Sequence, residues 1–141
     1  MDYTLTISTV IQSDDYDDSI EASYPCSYSC ENGIHRLKYN DPEAGFTVVR
    51  ISPDGSIEIR RRQSFTIIMR EGYVHSVDCE TPYGSIPMQF ALMNASHSLH
   101  ENGGTLAYAA KVHIDGQPQI NTVTMRLSPA THSQERKDET Q

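Results

Sequence analysis

The run Arg60-Arg61-Arg62 carries the strongest chemical signal in the chain. In an extended segment consecutive side chains point to opposite faces, so Arg61 turns away from Arg60 and Arg62. It shares its side with Ile57 and Ile59. A guanidinium on the apolar side of a strand needs a carboxylate, a group of carbonyls or an anionic ligand, because an unpaired buried charge is costly. Arg61, with Arg50, is therefore a candidate to hold the carboxylate or phosphate of a ligand. The alternative is an arginine at a rim whose stem lies on apolar surface while its head reaches water.

The other reactive groups form weaker patterns. Asp14-Asp15-Tyr16-Asp17-Asp18 packs four carboxylates into five residues. A calcium loop of the EF-hand kind wants acids at alternate positions and a Gly for the sharp turn, and neither is present, so the run reads as a solvated hairpin loop. His97 and His100 would share a face in a helix but point apart in a strand, and no third ligand stands at zinc-site spacing. His75 and Cys79 lie four apart in one extended segment, about 13 Å along the same face at roughly 3.3 Å per residue, too far to share a hydrogen bond. There is no Gly-x-Ser-x-Gly elbow, no phosphate-cradling loop and no dinucleotide fingerprint. No catalytic residue, metal site or cofactor is expected on these grounds. An enzyme would require a pocket with a strongly perturbed titratable group.

The segments that position these groups alternate with period two, the pattern of half-buried strands. Tyr3-Leu5-Ile7-Thr9-Ile11 is one apolar face, and Ile20-Ala22-Tyr24-Cys26-Tyr28-Cys30 is another. Pro25, on the polar side of the second, suggests an edge or a bulge. Shorter strands are expected over 34–39, 45–51, 56–62, 65–70 and 73–80. Ile86-Met88-Phe90-Leu92, Leu106-Tyr108-Ala110-Val112-Ile114 and Val123-Met125-Leu127 complete the set. Between them stand Asn32-Gly33, Asp54-Gly55, Asn102-Gly103 and Asp115-Gly116, pairs that tolerate the positive φ of tight hairpins, with Glu71-Gly72 as a weaker example. No segment is a convincing helix, and the best candidate is a short turn over 94–101, which Asn94 could cap. The tail beyond 128 has no large apolar residue and cannot offset its ordering entropy, so 129–141 is expected to be disordered and 1–128 to form one domain.

Composition excludes several classes. The chain has 141 residues, 19 Asp and Glu against 11 Lys and Arg, and a net charge of −8. That balance disfavours nucleic acid and anionic membranes as partners. The acids gather at the start, where residues 1–31 hold seven of them and no Lys or Arg. Cys26 and Cys30 are about 13 Å apart in a strand, beyond disulfide reach of about 7 Å, while a bridge from either to Cys79 stays open. Reduced thiols, together with a start that shows no signal peptide, point to the cytoplasm.

Strands joined in order by tight turns imply an antiparallel meander, which must close into a barrel or fold into a sandwich to protect its edges, and the missing Greek-key connections favour the barrel. The expected fold is all-β, an eight- to ten-stranded barrel whose interior is wide enough for side chains or one small ligand. Three stretches carry a family resemblance: Tyr3-Thr4-Leu5-Thr6-Ile7-Ser8-Thr9-Val10-Ile11 before an acidic turn, Glu80-Thr81-Pro82-Tyr83-Gly84-Ser85-Ile86-Pro87-Met88 before a strand, and Gly104-Thr105-Leu106-Ala107-Tyr108 before the Asp115-Gly116 hairpin. Over residues 3–128 the chain resembles the YwiB-like family of small bacterial proteins of unknown function. That resemblance implies a calycin-type, lipocalin-like barrel and supplies no catalytic residues. The leading expectation is a barrel that binds a small, partly apolar or anionic molecule, with Tyr24, Tyr28, Phe90, Tyr108 and Met125 on the wall and Arg61 and Arg50 as anchors. The alternative is a filled barrel that serves as a protein-interaction module through its acidic loop and arginine face.

Overall fold

The computed structural model describes residues 2–62 and 65–130. They form ten strands: β1 (Tyr3–Gln12), β2 (Asp17–Glu31), β3 (Ile34–Asp41), β4 (Gly45–Ile51), β5 (Ile57–Arg61), β6 (Ile67–Met69), β7 (Val74–Thr81), β8 (Gly84–His100), β9 (Gly103–Ile114) and β10 (Gln117–Pro129). All pairings are antiparallel, in the order β6-β5-β4-β3-β2-β1-β10-β9-β8-β7. The two edge strands, β6 and β7, also approach one another, so the sheet curls into a nearly closed barrel. The all-β barrel read from alternation is the fold observed. No helix among the described residues is long and apolar enough to cross a membrane.

The hairpin chemistry lies where the Asn-Gly and Asp-Gly pairs stand. Asn32 (φ 55°) with Gly33 (φ 78°), and Asp115 (φ 51°) with Gly116 (φ 80°), hold positive φ at both central turn positions. That twist matches the flanking strands. Pro25 has no N–H to give to a ladder, and the pairing of β2 with β3 begins at the next residue, Cys26↔Tyr39. The segment 94–101 does not turn helically. It continues β8, pairing residue by residue with β9 to His100↔Gly103 after a bulge between Leu92 and Asn94. This long ladder supplies backbone partners that one helical turn could not.

Strand direction alternates, so odd-numbered strands start at one end of the barrel and finish at the other. At the first end the interior is packed by Leu5, Leu37, Val49, Ile51, Leu106 and Leu127, all buried. The seam lies between β6 and β7, where no ladder forms. In its place the His75 Nε2 is 3.1 Å from the Thr66 carbonyl oxygen, and the Phe65 ring lies 6.1 Å from that of Phe90. The strand β10 ends at Pro129, one residue past the expected boundary, and the Ala130 N–H donates to the Asp2 carbonyl. The rest of the expected tail, 131–141, lies outside the described residues.

Candidate functional site

The second end of the barrel is hollow. A cavity of about 290 Å³ opens there, walled by Ile7, Ile59, Met88, Phe90, Val112 and Met125 among others. Small-molecule pockets usually measure about 300–1,000 Å³, so the space suits a small ligand. The layer of Leu5, Leu37, Val49 and Ile51 closes the interior beneath the cavity, and the opposite rim carries an open depression lined by Tyr3, Tyr28, His35 and Leu99.

Arg61 enters this cavity because β5 keeps strict alternation to its last residue. Ile57 and Ile59 are buried, and Arg61 follows them on the same face. Its neighbours leave in the other direction. Arg60 Nη2 pairs with Glu58 Oε2 at 2.8 Å, and the Arg62 guanidinium lies 5.8 Å from the Phe46 ring centroid. Arg61 has no such partner. Among the described residues the ion pairs join Arg36 to Glu31, and Arg50 and Arg60 to Glu58. Among the described residues the buried Nε–H of Arg61 finds no hydrogen-bond partner. Arg50 also leaves its Nε–H without a partner, but it stands outside, with Glu58 Oε1 3.8 Å from its Nη1.

Three tyrosines share the wall with Arg61. Tyr39 and Arg61 lie in one cross-strand row with Thr47 between them, through the pairs Tyr39↔Thr47 and Thr47↔Arg61. The ring of Tyr24 stacks on that of Tyr39 at 4.9 Å. Tyr108 comes from β9 on the far side. Burial pushes the Tyr39 hydroxyl up to about 12, with Arg61 pulling it back. Burial likewise raises Tyr108, again opposed by Arg61. Tyr24 is raised by burial first and then by the charges of Asp41 and Glu43, against Arg61. All three hydroxyls therefore keep their protons at neutral pH and can donate. Elsewhere, tyrosine hydroxyls bond within the protein, from Tyr3 to the Glu101 carbonyl and between Tyr28 and His35.

Asp41 is the other charged residue on the cavity wall. Its Oδ1 accepts the N–H groups of Glu43 (2.8 Å) and Ala44 (3.1 Å), which ties the carboxylate to the β3–β4 turn. Sequence reasoning missed it because the strand was expected to stop at 39. The run Leu37-Tyr39-Asp41 is the alternation that could have extended it.

Of the residues singled out in sequence, Arg61, Tyr24, Phe90, Tyr108 and Met125 come together on this wall. Arg50 does not join them. Inward residues of β4 are Thr47, Val49 and Ile51, so Arg50 points outward, beside Arg36, Glu58 and Arg60. Tyr28 does not line the cavity either. It faces inward but sits four residues beyond Tyr24, about 13 Å along the strand, at the filled end. There it packs edge-on against Tyr3, at 5.8 Å, and bonds His35 Nδ1 at 2.8 Å. The thiols are free, and burial pushes Cys26 up to about 11, away from nucleophilic thiolate. His97 stands edge-on to His35 at 5.2 Å, and no group of three or more His, Cys, Asp or Glu converges on a metal position among the described residues.

The chain matches the family model described as a domain of unknown function (DUF1934) over residues 5–127, and it belongs to that family. No curated protein matches it. Its fold is similar to the crystal structure of the ywiB protein from Bacillus subtilis, with a TM-score of 0.80, 18% identity and 92% of each chain covered. At that identity the likeness shows the barrel and nothing about a ligand.

Proposed function

We propose that this DUF1934 barrel binds a small, partly apolar molecule in its hollow end. The observation that carries the reading is the cavity of about 290 Å³ itself, with apolar walls and a few convergent polar groups. A hollow this size that opens at the barrel mouth leaves apolar side chains in contact with water, surface that a bound molecule would cover. The phenols beside the cavity are raised rather than tuned toward neutrality, which favours holding a molecule over acid–base chemistry on it. Binding would draw on burial of ligand surface at about 25 cal/mol per Å² of apolar area, with the polar groups setting orientation.

Thermal unfolding across a panel of small amphipathic molecules tests the reading. At least one compound should raise Tm in a saturable way. Ala22→Phe, which places a ring into the cavity from β2, should abolish that rise while leaving a cooperative transition. A flat response across the panel, or a shift that Ala22→Phe leaves untouched, would count against the cavity as the site.

A further inference from the structure

We propose, resting on the reading of the cavity as a ligand site, that its occupant is a small organic monocarboxylate whose carboxylate is held by Arg61. Three observations converge on this class. Arg61 stands at the end of β5 with a buried Nε–H and no ion pair among the described residues. A guanidinium in that state is stabilised by an oxyanion that takes two parallel N–H bonds, the geometry of a carboxylate. The acid that might have neutralised it, Asp41, already has one oxygen occupied by two backbone N–H groups. The hydroxyls of Tyr39 and Tyr108 remain protonated donors on the same wall.

Charge then limits the ligand to a single negative unit. Arg61 and Asp41 are the charged residues lining the cavity, and their charges cancel. The loops and strand ends around the hollow end add Asp14, Asp15, Asp17, Asp18, Glu43, Glu80 and Asp115 against the single guanidinium of Arg62. A phosphate dianion would meet one guanidinium and this acidic surround. A monocarboxylate meets Arg61 at contact distance in a low-dielectric site, where the pair outweighs exposed charges screened over about 8 Å. The apolar wall of Ile59, Ile67, Phe90 and Met125 takes the remainder of the molecule.

Isothermal titration with octanoate, octanol and octyl phosphate separates the possibilities, since the tail is constant and the head varies. Octanoate should bind at least about tenfold more tightly than octanol, the increment of a charge-assisted hydrogen-bond pair. Octyl phosphate should bind more weakly than octanoate. Arg61→Met should remove the preference for octanoate while keeping octanol binding and a cooperative unfolding transition. Arg61→Lys, which keeps the charge without the fork, should recover only part of it. Equal binding of octanoate and octanol by the wild type, or a preference that survives Arg61→Met, would overturn the carboxylate assignment and leave the cavity reading standing. If none of the three binds and Ala22→Phe changes nothing, the cavity reading itself fails.

Discussion

The two ends of the barrel are made from the same strands with the same alternation, yet one is solid and the other hollow. At the filled end the inward residues are Leu5, Leu37, Val49, Ile51 and Leu127, each essentially without exposure. At the hollow end the same strands present Ile7 and Thr9, Tyr39 and Asp41, Ile59 and Arg61. Along β1, β3 and β5 the inward face passes from a layer of branched aliphatics to Thr9, Asp41 and Arg61 at the hollow mouth, while at the opposite rim the polar tips of Tyr3 and His35 are bonded within the protein. The difference teaches that this barrel separates stability from recognition along its axis. One end supplies the packed core, and the other can carry polar groups because the first end already holds the strands in register.

The largest test of that division compares deletions of similar size. Leu5→Ala removes a fully buried side chain at the filled end and should cost about 3–5 kcal/mol in urea unfolding. Ile114→Ala removes a half-buried side chain that already borders the cavity, and should cost about 1 kcal/mol because no new void is sealed. Equal losses would mean that the hollow end is as tightly packed as the other, and the comparison would break. Gly104 belongs to the filled end for a different reason. Its φ of +135° and the close approach of the Ser98 carbonyl leave no room for a Cβ, so Gly104→Ala should destabilise by about 2–3 kcal/mol.

The seam offers a smaller effect. Between β6 and β7 the His75 imidazole stands in for a ladder by reaching the Thr66 carbonyl. His75→Ala should lower stability by about 1 kcal/mol, the worth of one net hydrogen bond. It should also speed amide exchange in Ile67–Met69, which pair only with β5, more than in β1 or β10. Unchanged exchange in β6 would show that Phe65 and Phe90 alone hold the seam.

The acidic surround of the hollow end gives a kinetic counterpart. For an anionic probe such as octanoate, association should quicken about twofold or more as salt rises from 0.01 M to 0.15 M, since screening shortens from about 30 Å to about 8 Å. Octanol should show no such change. Octanoate association that slows with salt would place a net positive field at the mouth.

Alternation made most of this legible. The inside and outside of nearly every strand follow from parity, and so does the inward turn of Arg61. The same parity turns Arg50 outward, because Val49 and Ile51 on either side of it face the interior. Tyr28 shows the limit of parity, which gives the face of a strand but not the height along the barrel axis. Height depends on register with β1 and β3, a long-range property absent from any local window. The seam was hidden for a related reason. Glu71-Gly72 does form a turn, with Gly72 at φ 76°, yet β6 is three residues long, and whether β6 then pairs with β7 is decided by closure of the whole sheet. The cavity was equally out of reach, since it is a difference between enclosed volume and side-chain volume that only the closed barrel defines.

The smallest effect concerns His35 at the filled end. Burial first, and then the charge of His97, hold its imidazole below the ordinary value of 6.5. In the unfolded chain that ring takes up its proton near 6.5, and in the folded barrel only at lower pH. Between those two values the unfolded state binds more protons, so stability rises with pH there. Its contribution is fully present above about 6.5 and is lost as pH falls through the depressed folded value. Tyr28 reinforces the neutral ring, because its hydroxyl lies 2.8 Å from Nδ1 and can donate only while that nitrogen is unprotonated. Urea midpoints measured from pH 7.5 down to pH 5 should therefore drift downward in the wild type, and His35→Gln should flatten the part of the slope that this ring supplies. The hollow end is the control. Tyr24, Tyr39 and Tyr108 are shifted upward, away from this window, so Tyr39→Phe should leave the drift intact. A drift that persists in His35→Gln and vanishes in Tyr39→Phe would assign the pH response to the wrong end of the barrel for this account.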